Sequence, residues 1–431
     1  MIIFIPGMGG SEIADGSGTR WGANTIANDV AQCIAFRTLE APTPLSSAHP
    51  GALVQHSVAT GIFDFAPQHH FVGRLSHVAA ELGRPFETFT YDWRTSMADS
   101  ALALRAFVAE HGAPEVSLVG HGFGGLVAAF YAAVLKGPVL DLITIGTPFA
   151  GTVATLKYLS SPVNAAIAHH AGFAVPKGAP WGAGTWASMH EVMPQPVSLA
   201  GDLSCVLDQS ATNSVDPEDQ LRPLTPGDVH ACGGSGQAFE DALAVHRELR
   251  DALIEVPARW SSISAVGQRT VNRMVFVDGQ PQFGHTDEGY GSGDRSVLHS
   301  SAHLPTTPPR PLVQSHLGLL TDPSCSAIVE YILRDQQVPP TQGPGEAGPG
   351  GDISVPDIVL QGDDQEILTG PAFRCQIVHV ASGEMLHQVD VGPEASKLDF
   401  RFTQQGVHRV QLHTPTGIVE HFVIVIPQSA K

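Results

Sequence analysis

Residues 116–125 read VSLVGHGFGG and run directly into LVAAFYAAVL. An apolar, β-branched run, a cluster of glycines and an alanine-rich segment with helical spacing are a strand, a sharp turn and a helix in immediate succession. The turn requires close backbone approach, which side chains at positions 120, 124 and 125 would block. A strand that hands over to a helix in this way points to βαβ units and a mostly parallel sheet.

The rest of the first 335 residues keeps that rhythm. IIFIPG at the start reads as a strand ending in a glycine turn, FVGRLSHVAAELG (71–83) as a helix and FETFTYDW (86–93) as a strand. ADSALALRAFVAEHG (98–112) is an amphipathic helix closed by Gly112, and VLDLITIGTPF (139–149) is again a strand. The rhythm breaks over 151–253, where Pro, Gly, Ala and Ser abound around Trp181 and Trp186. One clear helix, AFEDALAVHRELRDAL, runs through this stretch. An insertion of that length, late in an α/β sheet, is expected to cap a substrate pocket. SSISAVGQ (261–268) resumes the strands and SAIVEYILRD (326–335) is a closing helix.

Residues 336–352, QQVPPTQGPGEAGPGGD, are too rich in Pro and Gly to build a packed element and read as a linker. Beyond it, AFRCQIVHV, KLDFRFTQ, VHRVQLHT and EHFVIVIP are strands with partial alternation. Leu398, Phe400 and Phe402 fall on one face, Lys397, Asp399 and Arg401 on the other. Residues 353–431 are expected to form a small antiparallel β-sandwich, immunoglobulin-like in general architecture, without Cys–Trp–Cys spacing. The fold class is therefore α/β, with a mostly parallel sheet, a large cap insertion and a C-terminal all-β sandwich.

Composition narrows the function. A formal net charge of −19 argues against nucleic acid and anionic membranes as partners and favours a neutral or weakly polar substrate. Five scattered cysteines without a C-x-x-C pair suggest reduced thiols and a cytoplasmic setting. The first residues carry no basic n-region and read as a core strand rather than a signal peptide. No uninterrupted apolar run approaches the roughly 18 residues of a membrane-spanning helix.

In a serine hydrolase the strand–turn–helix carries G-x-S-x-G, with the nucleophile at its tip. Here the tip is Gly122. A serine there sits at strained positive φ, at a cost of about 1–3 kcal/mol. Glycine adopts the same dihedrals freely, so it keeps the turn and deletes the nucleophilic oxygen. FIPGMGGSE, YDWR, VSLVGHGFGG, ITIGTPFAGT, GSGDRSV and SHLGLLTDPS follow in that order. Together they resemble the lecithin:cholesterol acyltransferase-like branch of the α/β-hydrolases, over roughly residues 1–335. The resemblance is strongest at these six islands, weak through the insertion and absent after the linker.

The resemblance implies roles residue by residue. Asp294 of GSGDRSV takes the place of the family's catalytic acid in its G-D-G-T-V-like loop, and His316 of SHLGLL that of the catalytic histidine. The order nucleophile, acid, histidine is that of these enzymes. The backbone N–H groups of Met8 and Phe123 match the oxyanion-hole positions, and Trp93 and Arg94 a structural segment near the pocket. Asp92 and Arg94 read as an ion pair. A small acyl ester or lipid is the implied substrate, with no cofactor.

Competing signals are weaker. GMGGSE resembles a dinucleotide loop, but Glu12 would repel a pyrophosphate. His69–His70 and His169–His170 lack metal-site spacing, and Asp287, Glu288 and Asp294 lack a calcium-loop pattern, so no metal is assigned. Ser11 and Ser117 are not placed to substitute for the missing nucleophile. Three readings remain. The chain is an ester hydrolase or acyltransferase scaffold that is inactive or nearly so for want of one oxygen. Alternatively it is a pseudo-hydrolase whose pocket binds a ligand and whose sandwich recruits a protein partner. In the third, a water held on His316 sustains residual catalysis.

Overall fold

The computed structural model describes residues 1–15, 18–21, 49–53, 68–160, 182–201, 203–207, 221–252, 259–284 and 290–338 except 305, 309 and 317. In the C-terminal part it describes 353–354, 358–369, 372–379, 382–392, 396–414 and 417–426. Most of the expected linker, Cys33, Trp181, His169, His170, Asp287 and Glu288 lie outside the described residues, as does the His69 side chain.

Six parallel strands make the central sheet: β1 (Ile2–Ile5), β2 (Phe86–Thr88), β3 (Val116–His121), β4 (Val139–Ile145), β5 (Arg259–Val266) and β6 (Pro311–Val313). Their spatial order is β6-β5-β4-β3-β1-β2, and every pairing is parallel. The four residues of β1 are fully buried, as a parallel strand covered on both faces requires. The expected strand over 86–93 is shorter than its apolar pattern. Phe86, Glu87 and Thr88 pair with β1 and the Phe89 amide still donates to Phe4, but from Tyr91 the chain turns to hydrogen-bond Ser11 and Pro6.

Helices α1 (Gln68–Glu81), α2 (Met97–Glu110), α3 (Phe123–Ala133), α4 (Gly236–Ala252) and α5 (Pro323–Leu333) accompany the sheet. In α2 the Ser96 side chain caps the first turn by accepting from the Asp99 amide, and Met97, Ala101, Leu104 and Val108 form the buried stripe. All eleven residues of α3 are buried. That burial explains why its sequence shows no polar face. The strand order and the tight β3–α3 turn define an α/β-hydrolase fold. Because the chain runs from β1 to β2 on one side and then to β3 on the other, the carboxyl ends of β1 and β3 flank a crevice.

The 151–253 insertion is more structured than its composition suggests. It holds helices at Val153–Ser160, Ala187–Glu191 and Pro226–Ala231 besides α4, and strands at Ser204–Leu207 and Leu221–Pro223. Those two strands join Met274–Val277 and Gln280–Phe283 in one four-stranded sheet. Chain that follows β5 thus completes a sheet begun before it.

At the amino ends of the strands lies a polar cluster built around a buried carboxylate. Asp141 of β4 is fully buried and accepts from Ser117 Oγ of β3 at 2.5 Å and from Arg259 Nε of β5 at 2.8 Å. Arg84 donates to Ser117 Oγ at 2.7 Å, and Arg259 also pairs with Asp335 just after α5.

The C-terminal strands form a three-stranded sheet (353–354, 364–369, 396–401) and a five-stranded sheet (358–360, 374–379, 384–389, 406–414, 417–426). Ile367 from the first and Cys375, Ile377, Val410, Leu412, Val423 and Val425 from the second share one core with Phe402. The sandwich is not wholly antiparallel as expected, because Ile358–Leu360 runs parallel to Ile424–Ile426. Cys205, Cys232, Cys325 and Cys375 are free and buried. Burial pushes the Cys375 thiol up to about 11 and that of Cys232 up to about 12, so neither is a thiolate at neutral pH.

Candidate active site

The crevice at the carboxyl ends of β1 and β3 is a pocket of about 400 Å³, counting its open mouth. Gly122 sits at the tip of the elbow with φ 52° and ψ −123°, the left-handed half of conformational space that glycine tolerates. Close approach fixes the glycines on either side. A Cβ on Gly120 would lie 2.6 Å from the Gly124 carbonyl oxygen, and one on Gly124 would strike the Ile5 carbonyl.

Opposite the tip stands His316, which follows β6 and precedes the short helix Gly318–Thr321. Its Nδ1 is 2.6 Å from Asp294 Oδ2, and its backbone N–H donates to the Asp294 carbonyl at 2.9 Å. Asp294 ends the strand Tyr290–Gly293 and is buried. Its other carboxylate oxygen accepts from the amides of Ser296 at 2.9 Å and Val297 at 2.5 Å. Both oxygens are therefore engaged, and the imidazole is held through ring and backbone together. Arg295 in this loop has φ 80°, anchored by its amide donating to Thr270 Oγ1 at 2.9 Å. The G-D-G-T-V-like pattern has glycine at that place.

The imidazole ring is framed by two glycines at positive φ. A Cβ on Gly122 would lie 3.2 Å from His316 Nε2, and one on Gly146 would lie 2.9 Å from its Nδ1. Gly146 follows β4, and its φ of 57° with a bare Cα is what admits the ring. Met8 and Phe123 also line the pocket. Phe123 opens α3, where first-turn amides have no intrahelical acceptor.

The structure thus brings Gly122, Asp294, His316, Met8 and Phe123 to one place. It does not bring Ser11 or Ser117 there. Ser11 Oγ accepts from the Tyr91 amide, and Ser117 belongs to the Asp141 cluster. Asp92 and Arg94 form a two-pronged pair at 2.9 and 2.7 Å. Trp93 Nε1 donates to the Ser11 carbonyl at 2.9 Å and Tyr91 Oη to that of Pro6 at 2.9 Å, which clamps both ends of the loop carrying Met8.

Sequence reasoning missed Tyr91, Gly146 and His121. The His121 ring packs 4.7 Å from that of His316, and its Nε2 lies 3.4 Å from the His316 carbonyl. Burial, and secondarily the nearby His316, hold its pKa well below the usual imidazole range, so it stays uncharged. The remaining walls are Gly7, Pro148, Thr152, Val192, Ser296 and Val297, of which Thr152 and Val192 come from the insertion. Among the described residues no group of three or more His, Cys, Asp or Glu could hold a metal, and no helix is long and apolar enough to cross a membrane.

No protein-family model matches the sequence, and neither does any curated protein. Solved structures do resemble it. The Tle4–Tli4 complex contains a chain with 13% identity over 78% of this chain and 98% of its own, at a TM-score of 0.48. Bacillus licheniformis lipase BlEst2 in its propeptide form matches 98% of this chain and 92% of its own, at 10% identity and a TM-score of 0.37. An alpha/beta hydrolase fold protein from Nakamurella multipartita matches 62% of this chain and 87% of its own, at 10% identity and a TM-score of 0.26.

Proposed function

We propose that this chain is the scaffold of a serine ester hydrolase or acyltransferase in which glycine stands at the nucleophile position. Residues 1–335 form the hydrolase unit with its cap, 336–352 a linker and 353–431 a sandwich that binds a protein partner. One observation carries the reading: a Cβ on Gly122 would lie 3.2 Å from His316 Nε2, on the side of the imidazole away from Asp294. A serine hydroxyl at that point would meet the base of an Asp–His pair already oriented.

With that hydroxyl, the oxygen attacks the carbonyl of an acyl ester or lipid, and His316 takes its proton and returns it to the leaving alcohol. Asp294 holds the tautomer, and the Met8 and Phe123 amides receive the oxyanion, an interaction worth several kcal/mol in such sites. Without it, no acyl-enzyme forms at residue 122. The sandwich exposes Phe373, Met385 and Ile418, three of the four exposed large apolar side chains among the described residues, which supports a partner there.

The test is hydrolysis of a short-chain aryl ester by Gly122→Ser, with Gly122→Ser/His316→Ala as control. The expected gain over the unaltered chain is roughly 10³-fold or more, lost again in the control. No gain from a folded Gly122→Ser protein would assign the pocket to ligand binding instead.

A further inference from the structure

We propose that the pocket wall made by Gly122, Gly7 and His316 is itself a niche for a small hydroxyl nucleophile. In that niche the chain, as it stands, transfers acyl groups from activated esters to water in one step. The inference rests on the proposed function and extends it to the protein without a serine.

The argument begins with room. The nearest atoms to a Cβ built on Gly122 are His316 Nε2 at 3.2 Å, His316 Cε1 at 3.7 Å and Gly7 Cα at 3.9 Å. A Cβ at Gly122 would therefore stand at the wall of the pocket that Gly7, Gly122 and His316 line together. A serine would project a methylene and a hydroxyl into that pocket beside the imidazole, whereas glycine leaves the place to a small molecule such as water or methanol.

Electronic arrangement follows from Asp294. A carboxylate 2.6 Å from Nδ1 fixes the proton on that nitrogen, so Nε2 bears the lone pair and points at the niche. A hydroxyl there donates to Nε2 and presents its oxygen to a carbonyl bound in the pocket. The Phe123 amide lies at the start of an eleven-residue helix whose positive dipole end faces the same pocket, beside Met8. Gly122 also removes the backbone strain that a side chain would carry at φ 52°, so the elbow holds its shape without the hydroxyl.

The step balances without any cofactor. The water oxygen bonds to the ester carbonyl carbon while its proton moves to His316 Nε2. The tetrahedral oxyanion rests on the two amides. Its C–O bond to the alcohol then breaks, and the alkoxide takes the proton from Nε2, leaving acid, alcohol and a neutral imidazole. No bond to the protein forms at any stage, which separates this route from the acyl-enzyme of a serine hydrolase.

The experiment measures p-nitrophenyl acetate hydrolysis by the unaltered chain, Gly122→Ala, His316→Ala and Gly122→Ser, each checked for folding by circular dichroism. The unaltered chain should exceed both alanine variants by about 100-fold, the scale of positioned general-base catalysis. Gly122→Ala keeps His316 but fills the niche. Progress curves should show no burst, and quenched protein should show no acetyl mass increase. Added methanol should raise nitrophenolate release and appear as methyl acetate. A rate equal to that of His316→Ala, or an acetylated protein, overturns the inference. If Gly122→Ser turns over while the unaltered chain does not exceed His316→Ala, only this inference falls; if neither is active, the proposed function falls with it.

Discussion

Each end of strand β3 carries a polar cluster built on a buried aspartate, and the two differ in one respect. At the amino end, Asp141 accepts from Ser117 and Arg259, and Ser117 in turn accepts from Arg84, so the contacts run between protein groups. At the carboxyl end, Asp294 is just as fully engaged, but the chain of contacts runs through His316 to a glycine. A polar cluster closed on itself fixes the register of strands. A cluster that reaches a pocket wall is placed beside a space for a ligand. Composition cannot separate the two, because each is built on an Asp and a cationic or basic partner.

The sharpest way to break this comparison is to disable the carboxylate at each end. In a Gly122→Ser background, Asp294→Asn should lower kcat by about 10⁴-fold through the wrong imidazole tautomer, with the fold retained. Steady-state kinetics on an aryl ester reads this directly. Asp141→Ala should do the reverse. It removes the acceptor for Ser117 and Arg259 and should lower unfolding free energy by roughly 3 kcal/mol, leaving activity per folded molecule unchanged. Denaturant titration and active-site counting on one preparation distinguish the two. Equal damage to activity from both changes would dissolve the distinction.

Acid sharpens the comparison further. Burial holds His190 and His246 in the insertion, and His408 in the C-terminal core, at about 4. In the unfolded chain each takes a proton near the ordinary value of about 6.5. Their contribution is therefore fully present above about pH 6.5 and is lost as pH falls through that window towards 4, at up to about 1.4 kcal/mol per pH unit for each histidine. His246→Gln, which keeps a donor for the Glu191 carbonyl, should flatten that slope by one histidine's share. The smallest effect belongs to Arg295→Gly. It relieves a positive φ beside Asp294 and should raise stability by about 0.5 kcal/mol once glycine's extra unfolded-state freedom is subtracted.

Local pattern carried the reading of the sequence a long way. The strand–turn–helix at 116–125 and the helices near 98–112 and 238–253 are local features, and each lies where its pattern suggests, while Gly122, Asp294 and His316, far apart in the chain, come together in space. What stayed hidden is non-local. Nothing in SCVL or MVFV says that the two stretches pair across 67 intervening residues, as Val206 and Met274 do. The parallel pairing of Ile358–Leu360 with the last strand is hidden in the same way. Tyr91 and Gly146 were legible only as parts of motifs, because a hydroxyl on a Pro6 carbonyl and a bare Cα beside an imidazole exist only after folding.

The sheet stitched from both sides of β5 has a consequence for how this architecture can be rearranged. Two of its strands precede β5 and two follow it, so the 151–253 segment is not a cassette. Transplanting 151–253 into another protein of this fold would export Ser204–Leu207 without Met274–Val277, leaving a bare edge for other chains to pair with. The same stitching makes the pairing of Val206 with Met274 a non-local contact that spans the whole of β5, of the kind that slows folding.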